Sequence, residues 1–88
     1  MNNKVLVKLI VPELSYSCDV YLPVNEVVWK IKRMLLKVIS DFTKVDVEQN
    51  LECILLNKKT CEAYNNNDVI IQTNIRNGTE LLLITNLN

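Results

Sequence analysis

Two stretches near the start of this chain alternate apolar and polar residues with a period of two. A long central stretch repeats its apolar residues at helical spacing, and the last stretch is almost continuously apolar. At positions 4–11, Val5, Val7, Leu9 and Val11 fall on one side. Leu6 and Ile10 fall on the other with Lys4 and Lys8. Successive side chains of a strand point to opposite faces, so this pattern predicts a strand with one buried and one mixed face. Pro12 removes a ladder donor, and 12–15 predicts a turn. At 16–22, Tyr16, Cys18, Val20 and Leu22 alternate with Ser17, Asp19 and Tyr21. Two strands so closely joined predict a hairpin.

The period then changes. Val28, Ile31, Leu35, Val38, Ile39 and Phe42 fall on one stripe at ~100° per residue, flanked by Val27 and Met34. Lys30, Arg33, Lys37, Ser40 and Asp41 face elsewhere. Asn25 suits the N-cap, and Glu26 suits the positive end of the helix dipole. The prediction is one amphipathic helix over about 25–42. A connector follows at 43–50, then a third strand at 51–56, a turn at 57–60 and a short fourth strand at 61–64. Asp68 is expected to cap a single turn at 69–72, whose aliphatics close one end of the core. Gly78 is the only glycine, and in the tight turn 75–78 it is expected to take a positive φ. In the final strand Leu81 and Leu83 should point inward, and Leu82 and Ile84 outward.

These elements place the chain in the α+β class: one domain over 1–88, with a mixed four- to five-stranded sheet packed on one helix. If the last strand lies beside the first, the arrangement is a β-grasp. Composition changes this picture little. Apolar residues make up 49% and charged residues 23%, as in a folded soluble protein. No apolar run is long enough to cross a bilayer. The N-terminus runs into a strand pattern without the features of a signal peptide.

Charge and reactive residues narrow the function. Ten basic and ten acidic side chains cancel, which disfavours nucleic acid as a partner. With no histidine, neither a Ser-His-Asp triad nor a Cys/His zinc site can be built. One glycine makes no phosphate loop. Cys18, Cys53 and Cys61 form no Cys-x-x-Cys and read as reduced thiols packed as small hydrophobes, which suits the cytoplasm. Pairing of Cys53 with Cys61 across a hairpin is geometrically open but disfavoured. Asp46 and Glu48 read as solvated connector residues. The expectation is no enzyme, no cofactor and no metal.

The opening Lys4-Val5-Leu6-Val7-Lys8-Leu9, the Asp19-Val20-Tyr21-Leu22-Pro23-Val24 approach to the helix, and the closing Ile75-Arg76-Asn77-Gly78-Thr79-Glu80-Leu81-Leu82-Leu83-Ile84 carry a resemblance. The chain resembles ubiquitin-like β-grasp proteins over nearly its whole length. More narrowly, it resembles the YukD-type group that accompanies type VII (WXG-type) secretion in Gram-positive bacteria. The closing block, after the Asp68-Val69-Ile70-Ile71 turn, is its most specific part. The resemblance implies a cytoplasmic accessory or regulatory component of the secretion apparatus. The partner would be a protein of that apparatus or a second copy of the chain, with peripheral contact to a membrane complex. Thr85-Asn86-Leu87-Asn88 stands where ubiquitin and the sulfur carriers end in Gly-Gly, so conjugation is not expected. The alternatives are a small carrier or modifier acting through its C-terminus, or a ubiquitin-like adaptor unrelated to secretion.

Two candidate interaction surfaces follow. On the outer sheet face, Leu6 and Ile10 should lie beside Leu82 and Ile84, fringed by Lys4, Lys8 and Glu80. An apolar patch with a charged rim suits a protein partner. On the helix, Trp29 and Leu36 are two turns apart, with Arg33 between them. Trp with Arg is a hot-spot composition, yet Val24 and Trp29 equally fit a hydrophobic staple around Asn25. The lysines Lys30, Lys32 and Lys37 with Arg33 read as a solvated helix face, or as contacts for an acidic partner.

Overall fold

The computed structural model describes residues 3–43 and 53–85. The connector and the first residues of the expected third strand, like residues 86–88, lie outside the described residues.

Strand β1 (Lys4–Val11) and strand β2 (Tyr16–Pro23) form the hairpin in full antiparallel register, from Lys4 opposite Pro23 to Val11 opposite Tyr16. A single 3-10 turn, Pro12–Leu14, joins them, and Ser15 closes it at φ 49. Helix α1 (Val28–Thr43) follows, then β3 (Ile54–Asn57), a second 3-10 turn (Ile70–Gln72) and β4 (Glu80–Ile84). The sheet order is β2-β1-β4-β3. β1 and β4 are parallel, with Lys8, Leu9 and Ile10 opposite Glu80, Leu81 and Leu82. β3 and β4 are antiparallel.

The alternation of β1 sets which face the helix covers. Val7, Leu9 and Val11 are buried with Leu81 and Leu83 of β4, Leu22 of β2 and Leu55 of β3. The helix contributes Val28, Ile31, Leu35, Leu36 and Ile39 to the same core. Gly78 takes φ +87, as its position in the turn before β4 requires.

The helix departs from expectation in three respects. It begins at Val28, because Val27 supplies the first accepting carbonyl, to the N–H of Lys30 and Ile31. The Val28 and Trp29 N–H groups donate to the Asp68 and Asn66 carbonyls. That loop closes the helix N-terminus, and Asn25 lies outside it. The buried side is also rotated. Lys32 and Leu36 are buried, while Phe42 is 72% exposed. On the Lys32 flank the loop at Asn66 packs against the helix: Lys32 Nζ donates to Asn66 Oδ1 at 2.7 Å. Lys32 therefore does not belong to the solvated row with Lys30, Arg33 and Lys37.

The expected strand at 61–64 reduces to one bridge, Ala63 opposite Leu56. The Asn57 side chain accepts from the Lys59 and Thr60 N–H groups, and Cys61 sits at φ 63. That tight loop brings the chain back beside β3 only briefly. Asp68 does not cap the Ile70–Gln72 turn; its carboxylate accepts from the Asn65 N–H at 3.1 Å. Ile70 closes the core as expected, but Ile71 is 55% exposed.

Candidate protein-interaction site

Register places the outward side chains of the sheet in rows across the strands. One row runs Ser17, Ile10, Leu82, Leu56. The next runs Asp19, Lys8, Glu80, then Lys58, whose N–H donates to the Glu80 carbonyl. A third holds Tyr21 and Leu6, beside the Asn77–Gly78 turn. At the opposite end, Ile84 faces Ile54.

The open face is thus two apolar clusters separated by a row of alternating charge. Lys58 Nζ lies 3.7 Å from the Glu80 carboxylate, both about half exposed, so the pair adds little stability. Such a row orients a partner more than it holds one. Leu6, Ile54 and Tyr21 are the exposed members of the clusters, while Ile10, Leu56, Leu82 and Ile84 are half-buried among their neighbours. Beside Leu6 and Tyr21 the surface dips into a shallow hollow of about 350 Å³, floored by Asn77 and Gly78. The Asn77 side chain fixes this edge, since its Oδ1 accepts from the Leu6 N–H at 2.8 Å.

The structure brings Leu6, Lys8, Ile10, Leu82 and Ile84 onto one face. It adds Tyr21, Ile54 and Leu56, which the sequence reading left out. Tyr21 was legible through the hairpin register, which sets it opposite Leu6. Ile54 and Leu56 were hidden in an apolar run whose phase the sequence does not show.

The helix surface is smaller than expected. Leu36 is fully buried, so it cannot join Trp29 and Arg33 on the outside. Trp29 is half-buried, with Lys30 Nζ 5.5 Å and Arg33 Cζ 5.9 Å from its ring centroid. With the helix starting at Val28, Trp29 stands in the first turn, so Val24 and Trp29 do not occupy the two staple positions.

The Tyr16 phenol is raised above its ordinary range, first by a hydrogen bond with Cys18 and then by burial. Burial pushes the Cys53 thiol up, partly offset by the Lys32 charge. All three cysteines are free thiols, Cys53 buried and Cys61 exposed. Among the described residues, no group of His, Cys, Asp or Glu could hold a metal ion. No helix among them is long and apolar enough to cross a membrane.

A helix on a mixed β2-β1-β4-β3 sheet has clear structural counterparts. The ubiquitin of Caldiarchaeum subterraneum superposes with a TM-score of 0.70 at 13% identity, over 97% of this chain and 96% of that one. The fold is ubiquitin-like. The N-terminal ubiquitin-like domain of the 4931431F19Rik protein gives a TM-score of 0.68 at 18% identity, covering 100% and 80%. A chain of the MycP5-free ESX-5 inner membrane complex, State II, gives 0.72 at 17% identity, covering 99% of this chain and 22% of that one. No family model matches the chain, and no curated protein matches it in sequence.

Proposed function

We propose that this chain is a non-enzymatic, cytoplasmic interaction module that docks its open sheet face onto a protein component of a type VII secretion apparatus. The observation that carries the docking is the register itself. It aligns Ile10, Leu82 and Leu56 in one row and Ile84 with Ile54 beside it, with Asp19, Lys8, Glu80 and Lys58 as a bordering row of charges. Full burial of an exposed aliphatic contributes about 1.5–3 kcal/mol before association costs. The secretion assignment is supported by the closing Ile75–Ile84 block and by the likeness to a domain within an ESX-5 inner membrane complex chain.

The test is co-purification of the tagged chain with the secretion membrane complex from its own bacterium. Leu6→Asp with Ile54→Asp places a charge in each cluster at exposed positions, so the fold should persist by circular dichroism. Recovery of the complex should fall at least about tenfold, as expected when charge enters an apolar contact. Equal recovery by the folded double variant excludes this face as the docking surface.

A further inference from the structure

The two edges of the sheet are not alike. β3 is four residues long, and its outer side is covered: the Asn57 N–H donates to the Glu62 carbonyl, and the Tyr64 N–H donates to the Leu55 carbonyl. β2 is eight residues long, and among the described residues none hydrogen-bonds along its outer side. The Val24 N–H donates to the Asn3 carbonyl, so Leu22, Val20, Cys18 and Tyr16 direct their backbone toward β1 by the antiparallel alternation. Ser17, Asp19 and Tyr21 therefore direct theirs outward. Among the described residues, no hydrogen bond reaches those three N–H groups. An uncovered edge of this length is a template for another strand.

The helix-side row of β2 is also incomplete. Tyr16, Cys18 and Val20 are only half-buried, while the matching row of β1 is buried at Val7, Leu9 and Val11. A strand added to β2 would satisfy the outward backbone and lengthen this apolar row together.

We infer that the occupant is β2 of a second copy, paired antiparallel about a two-fold axis at Val20. Sequence chemistry favours that register over those centred at Asp19 and Cys18. An axis at Asp19 sets the two Asp19 carboxylates opposite each other, which is destabilising. An axis at Cys18 pairs Tyr21 with Ser15, which has left the strand at φ 49. The axis at Val20 opposes Asp19 to Tyr21 and Ser17 to Pro23. Each Asp19–Tyr21 pair exchanges two backbone bonds. Each Ser17–Pro23 pair makes one, since proline has no N–H. On the helix side this register aligns Tyr16 with Val24, Cys18 with Leu22, and Val20 with Val20. Every contact in that row is apolar, and four of the residues are those left half-buried in the single copy. The product is a continuous eight-stranded sheet with the β3 edges outermost.

The pairing is tested on the full chain by sedimentation and by amide hydrogen exchange, at about 20 µM and about 2 mM, a range that spans weak association. The expected result is a dimer that grows with concentration, with Ser17, Asp19 and Tyr21 amides slowed only where it forms. Tyr21→Lys sets a cation opposite Asp19 in both halves and should tighten the dimer about tenfold, while Tyr21→Asp should weaken it about as much. Ile54→Asp, at the far edge, should leave dimerisation unchanged, which separates this pairing from docking through the open face. A monomer at both concentrations overturns the inference. So does a dimer whose three amides exchange at the monomer rate, or protection that appears only when a different protein is added.

Discussion

Strand β4 shows the same chemistry put to two uses. Leu81 and Leu83 are fully buried beneath the helix, while Leu82 and Ile84, equally apolar, lie half-buried on the open face. Across the sheet, Leu82 lies between Ile10 and Leu56, and Ile84 lies beside Ile54. Hydrophobicity alone therefore does not mark the core. What separates the two sets is whether a second layer covers them, and the helix covers one face only. The covered face holds the fold, and the open face is the one proposed to dock.

The sharpest way to break this comparison is to truncate on the covered side. Leu83→Ala should cost about 2–5 kcal/mol in urea unfolding, because it removes buried surface and leaves a cavity in a close-packed interior. Asn57→Ala should cost about 1–3 kcal/mol in the same assay. Asn57 is a buried polar residue whose Nδ2 donates to the Tyr64 hydroxyl, while its Oδ1 holds the turn through the Lys59 and Thr60 N–H groups. A loss below about 0.5 kcal/mol would mean that water replaces those contacts freely.

Strands β1 and β2, their hairpin and the two faces of β4 were legible because period two is read directly from residue types, and the Gly78 turn because glycine alone takes positive φ freely. Neighbouring β1 and β4 were legible through the long apolar last strand. The burial of Lys32 and Leu36 was not. Helical periodicity gives the apolar stripe of an isolated helix, but tertiary neighbours decide how far burial extends around it, as the Asn66 loop does for Lys32. A lysine cannot announce from sequence that an asparagine 34 positions away will accept its proton. The helix N-terminus was misjudged for a similar reason. Asn25 is a good cap by type, yet the Asp68 and Asn66 carbonyls take the first N–H groups. Of the candidate site, the β1 and β4 members were readable, while Ile54 and Leu56 required the β3 register.

A smaller effect, confined to alkaline pH, probes the covered face through its ionisable members. Burial raises the Cys53 thiol and the Tyr64 phenol, the latter partly offset by its hydrogen bond with Asn57. The folded chain then holds these protons more tightly than the unfolded chain. Their contribution is fully present below the unfolded values and is lost as pH rises through the folded ones. Stability should be flat near neutrality and decline above about pH 8.5 for the thiol and about pH 10 for the phenol. Urea midpoints measured across that range should show the decline, and Cys53→Ala should remove its earlier part. An unchanged slope in that variant would assign the loss elsewhere.

The smallest stability change is expected on the open face, and its smallness is what makes it informative. Leu6 is 36% exposed, opposite Tyr21 and above the hollow floored by Gly78. Its backbone N–H is held by Asn77 whatever the side chain, so Leu6→Ser preserves the β1 backbone there. The unfolding free energy should shift by no more than about 0.5 kcal/mol. If the side chain had a structural duty, its loss would approach that of a core aliphatic, and the urea midpoint would move with it. If it is kept for a partner, the midpoint stays and recovery of the complex falls. Exposed single aliphatics are ordinary, so only the fall in recovery, at an unchanged midpoint, ties the Leu6 side chain to a partner.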